Sequence, residues 1–88
     1  MKVNKDFVMR SIAGENILVP TGEAAEKLNG MITLNEVAAF MWQNLDSAGS
    51  KEALVKMILD EFEVDEETAS IDVERFVTEL SAIGMIKM

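Results

Sequence analysis

Leu34-Asn35-Glu36-Val37-Ala38-Ala39-Phe40-Met41-Trp42 is the stretch whose reading decides the fold. Upstream of it, short apolar runs are broken by Gly, Pro and Asn. Downstream, every long segment carries apolar residues at helical spacing. The stretch holds the only Trp and, with Phe40, two of the five aromatic residues. A strand that ends at Leu34 and a helix that starts at Asn35 make it the hinge between a sheet half and a helical half.

Working forward, Asn35 is a natural N-cap, because its short side chain accepts from an orphan backbone N–H. Thr33 with Glu36 offers a capping box as the alternative. Val37, Phe40, Met41 and Leu45 then follow at helical spacing, with Ala38 and Trp42 beside them, and predict a helix over 35–45. Asp46 to Gly49 reads as a loop, and Ser50 caps a second helix ending near Phe62. Its stripe is Leu54, Met57, Ile58 and Phe62, flanked by Val55 and Leu59. Asp65 caps the third helix, whose stripe is Ala69, Val73, Phe76, Leu80 and Ile83, widened by Val77. Gly84 ends it in a left-handed conformation, and Met85 and Ile86 fold back on the last turn.

Working backward, Met31-Ile32-Thr33-Leu34 is a short strand, apolar on both faces. Residues 21–30 have helix-forming Ala, Glu and Lys, and Glu23 to Leu28 would make one turn that Gly30 terminates. About six residues do not sustain a helix without packing, so a loop is expected there. Ile17 to Pro20 predicts a strand that stops where Pro20 cannot donate. Lys5 to Ile12 predicts another, with Phe7, Met9 and Ser11 on one face and Val8, Arg10 and Ile12 on the other. Gly14 supplies the turn of the hairpin between them.

With 88 residues and 49 % apolar side chains, the chain is expected to form one domain, residues 1–88. It has no Cys, His or Tyr. Disulfides, thiolate nucleophiles, an imidazole base and ordinary zinc or haem sites are thereby excluded. We expect no catalytic residues, no metal and no cofactor. The net charge of −8 is uneven. Residues 1–45 carry five acidic and four basic groups, whereas residues 46–88 carry eleven acidic and four basic ones. Phosphate binding needs Lys and Arg, so neither nucleic acid nor an acidic membrane is an expected partner. No apolar run is long enough for a signal peptide or a membrane span, and a cytoplasmic location is the expectation.

Residues 60–67 hold six acidic groups, Asp60, Glu61, Glu63, Asp65, Glu66 and Glu67. They lack the alternating ligands and central Gly of a calcium loop, and read as a solvated connection between helices. Met41 and Met57 are expected in the core. Met31, Met85 and Met88, near strand or chain ends, are expected to be more exposed, as clustered Met often is on binding surfaces. Trp42 is expected in the core. Arg75 lies between Asp72 and Glu79 at helical spacing, which suits either surface ion pairs or a cation held at the rim of a groove.

Three motifs in order carry a resemblance. They are Leu34-Asn35-Glu36-x-Ala38-x-x-x-Trp42, the Ser50-capped helix ending in Glu61-Phe62, and Asp72-Val73-x-x-Phe76-x-x-x-Leu80-x-x-x-Gly84-x-Ile86. Together, over residues 5–87, they resemble the PqqD family, the small peptide chaperones of pyrroloquinoline quinone biosynthesis, and more broadly the RiPP recognition elements. The resemblance implies an α+β, winged-helix-like fold, a three-stranded antiparallel sheet followed by three helices. It also implies a non-enzymatic module that binds the leader segment of a ribosomally made precursor peptide and presents it to a radical SAM or other modifying enzyme. The peptide would add as a strand to the edge of strand 31–34, against the third helix. Carried onto this chain, the strand side is Met31, Ile32, Thr33 and Leu34, and the helix rim is Asp72, Arg75 and Glu79. An Ile32→Pro change is then expected to remove an edge donor. Two competing classes are a winged-helix DNA-binding regulator, which the acidic helical half opposes, and an oligomerisation domain that buries the same edge in a homodimer.

Overall fold

The computed structural model describes residues 1–27 and 30–87. The elements in chain order are β1 (Lys2–Val3), β2 (Phe7–Ile12), β3 (Glu15–Pro20), α1 (Gly22–Lys27), β4 (Ile32–Leu34), α2 (Glu36–Ala48), α3 (Lys51–Glu61), α4 (Glu66–Ala82) and β5 (Ile86–Lys87). β2, β3 and β4 form an antiparallel sheet in that order, and β1 pairs with β5 in a separate antiparallel ribbon. The α+β architecture of three antiparallel strands followed by three helices is therefore present. Its likeness to a winged helix goes no further than that.

The β2–β3 hairpin closes through Ala13 and Gly14, with Ile12 paired to Glu15. Both turn residues have positive φ, 52° at Ala13 and 81° at Gly14. A two-residue turn requires this if its twist is to match that of the strands. β3 pairs β4 through Asn16↔Leu34, Ile17↔Thr33 and Leu18↔Ile32. The next rung would need a donor from Pro20, which has none, and β4 begins at Ile32.

One face of the sheet meets the helices. Phe7, Leu18 and Leu34 join Met41, Trp42 and Leu45 of α2, Leu54 and Ile58 of α3, and Ala69, Val73, Phe76, Val77 and Leu80 of α4 in one core. Phe40 and Phe62 meet edge to face with centroids 5.3 Å apart, the favoured geometry of an aromatic pair. All three expected N-caps are made. Asn35 Oδ1 accepts from Ala38 N at 2.8 Å, Ser50 Oγ from Ala53 N at 3.1 Å and Asp65 Oδ1 from Thr68 N at 2.7 Å.

Several sequence expectations are corrected. Residues 22–27 are helical rather than a loop, because α1 does not stand alone. Ala24 is buried in the core, and the backbone N and hydroxyl of Thr21 both donate to Asp6 O, fixing the entry to the helix. Gly30 has φ 122°, outside the left-handed helical region expected of a terminator, and Leu28 and Asn29 lie outside the described residues. α2 runs three residues past Leu45, to Ala48, where Gly49 (φ 76°) donates back to Leu45 O. Met57 lies outside the core cluster, and Ile83 is 50 % exposed because α4 stops before it.

Met85, expected near the surface, is fully buried. Gly84 (φ 79°) reverses the chain, Met85 N donates to Leu80 O, and Met85 O accepts from Asn4 N at 2.8 Å. The N-terminal segment thus closes over the end of α4, with Asn4 Nδ2 donating to Gly84 O and Val3 N to Asp46 Oδ1. Met88 lies outside the described residues. Trp42 and Met41 are core residues, as expected.

Candidate functional site

Strand alternation fixes which backbone groups of β4 are free. The two residues flanking a two-residue hairpin turn exchange hydrogen bonds, and such pairs recur at every second rung. On β3 this directs the backbone groups of Glu15, Ile17 and Val19 toward β2. Thr21 N, which donates to Asp6 O at 2.6 Å, continues the same parity. Asn16 and Leu18 therefore bond to β4, and their partners Leu34 and Ile32 bond back to them. What remains for the open edge is the N–H and C=O of Thr33, with those of Met31 just before the strand. β4 is a terminal strand of the sheet, so these groups have no partner strand.

The side chains divide the same way. Ile32 is half-buried against the core and Leu34 is buried, whereas Thr33 is exposed and Met31 is 60 % exposed. The expectation that Pro at position 32 would remove an edge donor is thereby corrected. The Ile32 N–H points at β3, and Thr33 carries the donor that faces the edge.

One residue beyond β4, the chain enters a depression of about 230 Å³ between α2 and α4. Asn35, Val37, Ala38 and Met41 line one side, and Asp72, Arg75, Phe76 and Glu79 the other. All three helix residues singled out from the sequence are brought together here. Asp72 is half-buried, whereas Arg75 and Glu79 are exposed. Val37, Ala38, Met41 and Phe76 supply an apolar lining, and the rim carries two carboxylates and one guanidinium. Among the described residues, the ion pair made is Lys51–Glu74 at 3.1 Å, not Arg75 with Asp72 or Glu79. The Arg75 guanidinium is left available at the rim.

Sequence reasoning assigned Val37, Met41 and Phe76 to the core and missed that they also line this opening. The place of Val37 and Met41 soon after the edge strand was a signal for it, and Phe76, on α4, carried none. The acidic groups of residues 60–67 contribute nothing here. They are exposed along the end of α3, the connection 62–65 and the first turn of α4, where the Asp65 carboxyl is held below its ordinary value of 3.8 by the hydrogen bond from the Thr68 backbone N–H.

An open edge strand feeding a half-apolar depression is an arrangement suited to an extended peptide. Residues 15–86 match the family described as Coenzyme PQQ synthesis protein D. The chain belongs to the PqqD family. The fold of this PqqD-family chain is also that of TbiB1 in complex with the TbiA(beta) leader peptide. The TM-score is 0.75 at 23 % identity, over 99 % of this chain and 95 % of that one. Lasso peptide synthetase B1, complexed with the leader peptide, gives a TM-score of 0.72 at 21 % identity over 96 % and 93 %. At these identities the likeness is one of fold. No curated protein matches this PqqD-family member significantly.

Proposed function

We propose that this chain is a non-catalytic, cytoplasmic binding module for the leader segment of a ribosomally made precursor peptide. The leader adds as a strand to β4 and is thereby presented to a modifying enzyme. The observation that carries this reading is the unpaired edge at Thr33 and Met31, with the depression between α2 and α4 beginning just beyond the strand, at Asn35. Main-chain bonds at the edge supply affinity and side-chain pockets supply selectivity. Family membership and two structural neighbours solved with leader peptides support it. Alternate side chains of the added strand fall toward the depression, where Val37, Met41 and Phe76 take an apolar group and Arg75 pairs an acidic one. An exposed edge is otherwise an aggregation hazard, and β4 carries neither Pro nor charge to block it.

Thr33→Pro tests the reading. Pro is tolerated where its missing donor faces outward on an edge strand, and the Thr33 side chain is exposed. Calorimetry with synthetic leader peptides from short reading frames beside the gene should show binding to the native chain and none to T33P, at nearly equal melting temperature. Ile32→Pro should instead lower the melting temperature, because it breaks the rung to Leu18. Equal affinity of T33P and the native chain would refute strand addition at β4. A DNA-binding role is opposed by the helical half, where eleven acidic groups face four basic ones.

A further inference from the structure

The depression beyond β4 is walled by α2 on one side and α4 on the other. Among the described residues, no hydrogen bond or ion pair joins these two helices directly. α3 packs against both. A second tie runs through the segment that precedes β2, and strand parity divides its backbone groups. Asn4 N donates to Met85 O at 2.8 Å, so Lys2 and Asn4 face β5 and Val3 faces away from it. The Val3 N–H instead donates to Asp46 Oδ1, in the last turn of α2, at 2.8 Å. Asn4 Nδ2 donates to Gly84 O, at the exit from α4, at 3.0 Å. Two adjacent residues thus tie the end of α2 to the end of α4. Met1 and Val3 also pack on the core, which holds the segment in place. The dipole of α2 disfavours a carboxylate in its last turn, and no basic residue there offsets it. Asp46 therefore does not serve the helix itself. What it does is accept the Val3 N–H.

We propose that Val3 and Asp46 form a positioning clasp for the peptide site, fixing the width of the depression from outside it. The inference rests on the peptide-binding reading above. Neither residue lines the depression. α2 is held at its start by the Asn35 cap and by Leu34 in β4, and at its end by the clasp. Freed at Asp46, the helix pivots about the Leu34–Asn35 hinge. Met41 lies about midway between hinge and clasp, so a rigid helix carries a shift at Asp46 to Met41 at about half its size. The apolar lining holds a side chain by dispersion, and a gap of about 0.5–1 Å forfeits roughly a quarter to a half of each contact. A small swing of α2 is therefore enough to loosen the site while β4 and its open edge stay as they are.

The clasp can be cut from either side. Asp46→Ala removes the acceptor. Val3→Pro removes the donor and, because Val3 faces away from β5, leaves the bond from Asn4 to Met85 in place. Asp46→Asn keeps an acceptor, and Leu54→Ala lowers stability without touching clasp or depression. NMR of the full chain without peptide should show nuclear Overhauser contacts between the methyl groups of Val37 and Met41 and the Phe76 ring. These should weaken in D46A and V3P and stay native-like in D46N. Calorimetry with the same leader peptides should show D46A and V3P binding about two- to thirty-fold more weakly, the range for residues that act on a site they do not touch. D46N and L54A should bind like the native chain. Unchanged contacts in D46A and V3P overturn the inference, whether or not a leader binds. Changed contacts with unchanged affinity overturn it as well. Failure of the native chain to bind any leader refutes the peptide reading instead, and the NMR comparison still decides whether the clasp sets the depression.

Discussion

At the scale of single residues, backbone direction counts for more here than side-chain character. Ile32 and Thr33 are neighbours in one short strand, yet one holds the sheet together and the other faces the open edge. The sequence marked both as strand residues, but only pairing with β3 separates their roles. Ala13 is a second case. It sits at φ 52° in the hairpin turn, a conformation that costs an L-residue with a Cβ roughly 1–2 kcal/mol and that Asn tolerates better. Ala13→Asn, which creates the favoured Asn-Gly turn, should stabilise the chain by about 0.5–1 kcal/mol. At about 4–8 °C per kcal/mol for a domain of this size, calorimetry should read a rise of several degrees.

At the scale of elements, the helices were legible and the packed accessories were not. Caps at Asn35, Ser50 and Asp65 and the stripe of α4 are local signals, and each stands as expected except at Ile83, which lies past the helix end. α1 was missed because six residues have no helical stability of their own; Ala24 in the core and Thr21 on Asp6 provide it. β1 and β5, two residues each, are too short to show a period. The Asp65 cap gives a pH prediction. The folded carboxyl titrates below 3.8 because Thr68 donates to the charged form. Its contribution is present above the unfolded value and is lost as pH falls through the folded one. Asp65→Asn keeps a capping acceptor that does not titrate, so the melting advantage of the native chain over D65N should shrink as pH drops below about 4.

The helix cores give another prediction. Phe76, 8 % exposed, and Leu54, fully buried, should each cost about 2–5 kcal/mol when cut to Ala. Phe76→Ala should also weaken leader binding, because Phe76 lines the depression, whereas Leu54→Ala should leave binding unchanged below its lower melting point. Equal loss of binding in both variants would show that Phe76 acts through stability alone.

At the scale of the whole molecule, the charge imbalance matters most. Residues 46–88 bring eleven acidic and four basic groups into one helical half, and among the described residues Lys51–Glu74 is the ion pair that offsets them. Such a half repels itself, and salt screens the repulsion, with a Debye length of about 8 Å at physiological ionic strength and about 3 Å at 1 M. The melting temperature should therefore rise with added sodium chloride. Glu63→Lys, on the exposed connection, should reduce that dependence. A melting point indifferent to salt would show that the acidic groups are too far apart to interact. No helix among the described residues is long and apolar enough to cross a membrane.

The sequence by itself determined the order of the three sheet strands and the three long helices, the hinge at Leu34–Asn35, the three caps and most of the core, because these rest on local geometry and on periods of two and 3.6 residues. Pairing register, terminal closure and the joining of Asp72, Arg75 and Glu79 with α2 around one opening were decided by the tertiary structure alone. Each depends on contacts between segments far apart in the chain, such as Asn4 with Met85 and Ile32 with Leu18. No local pattern encodes which backbone groups such contacts leave free, and in this protein those free groups are where partners are proposed to bind.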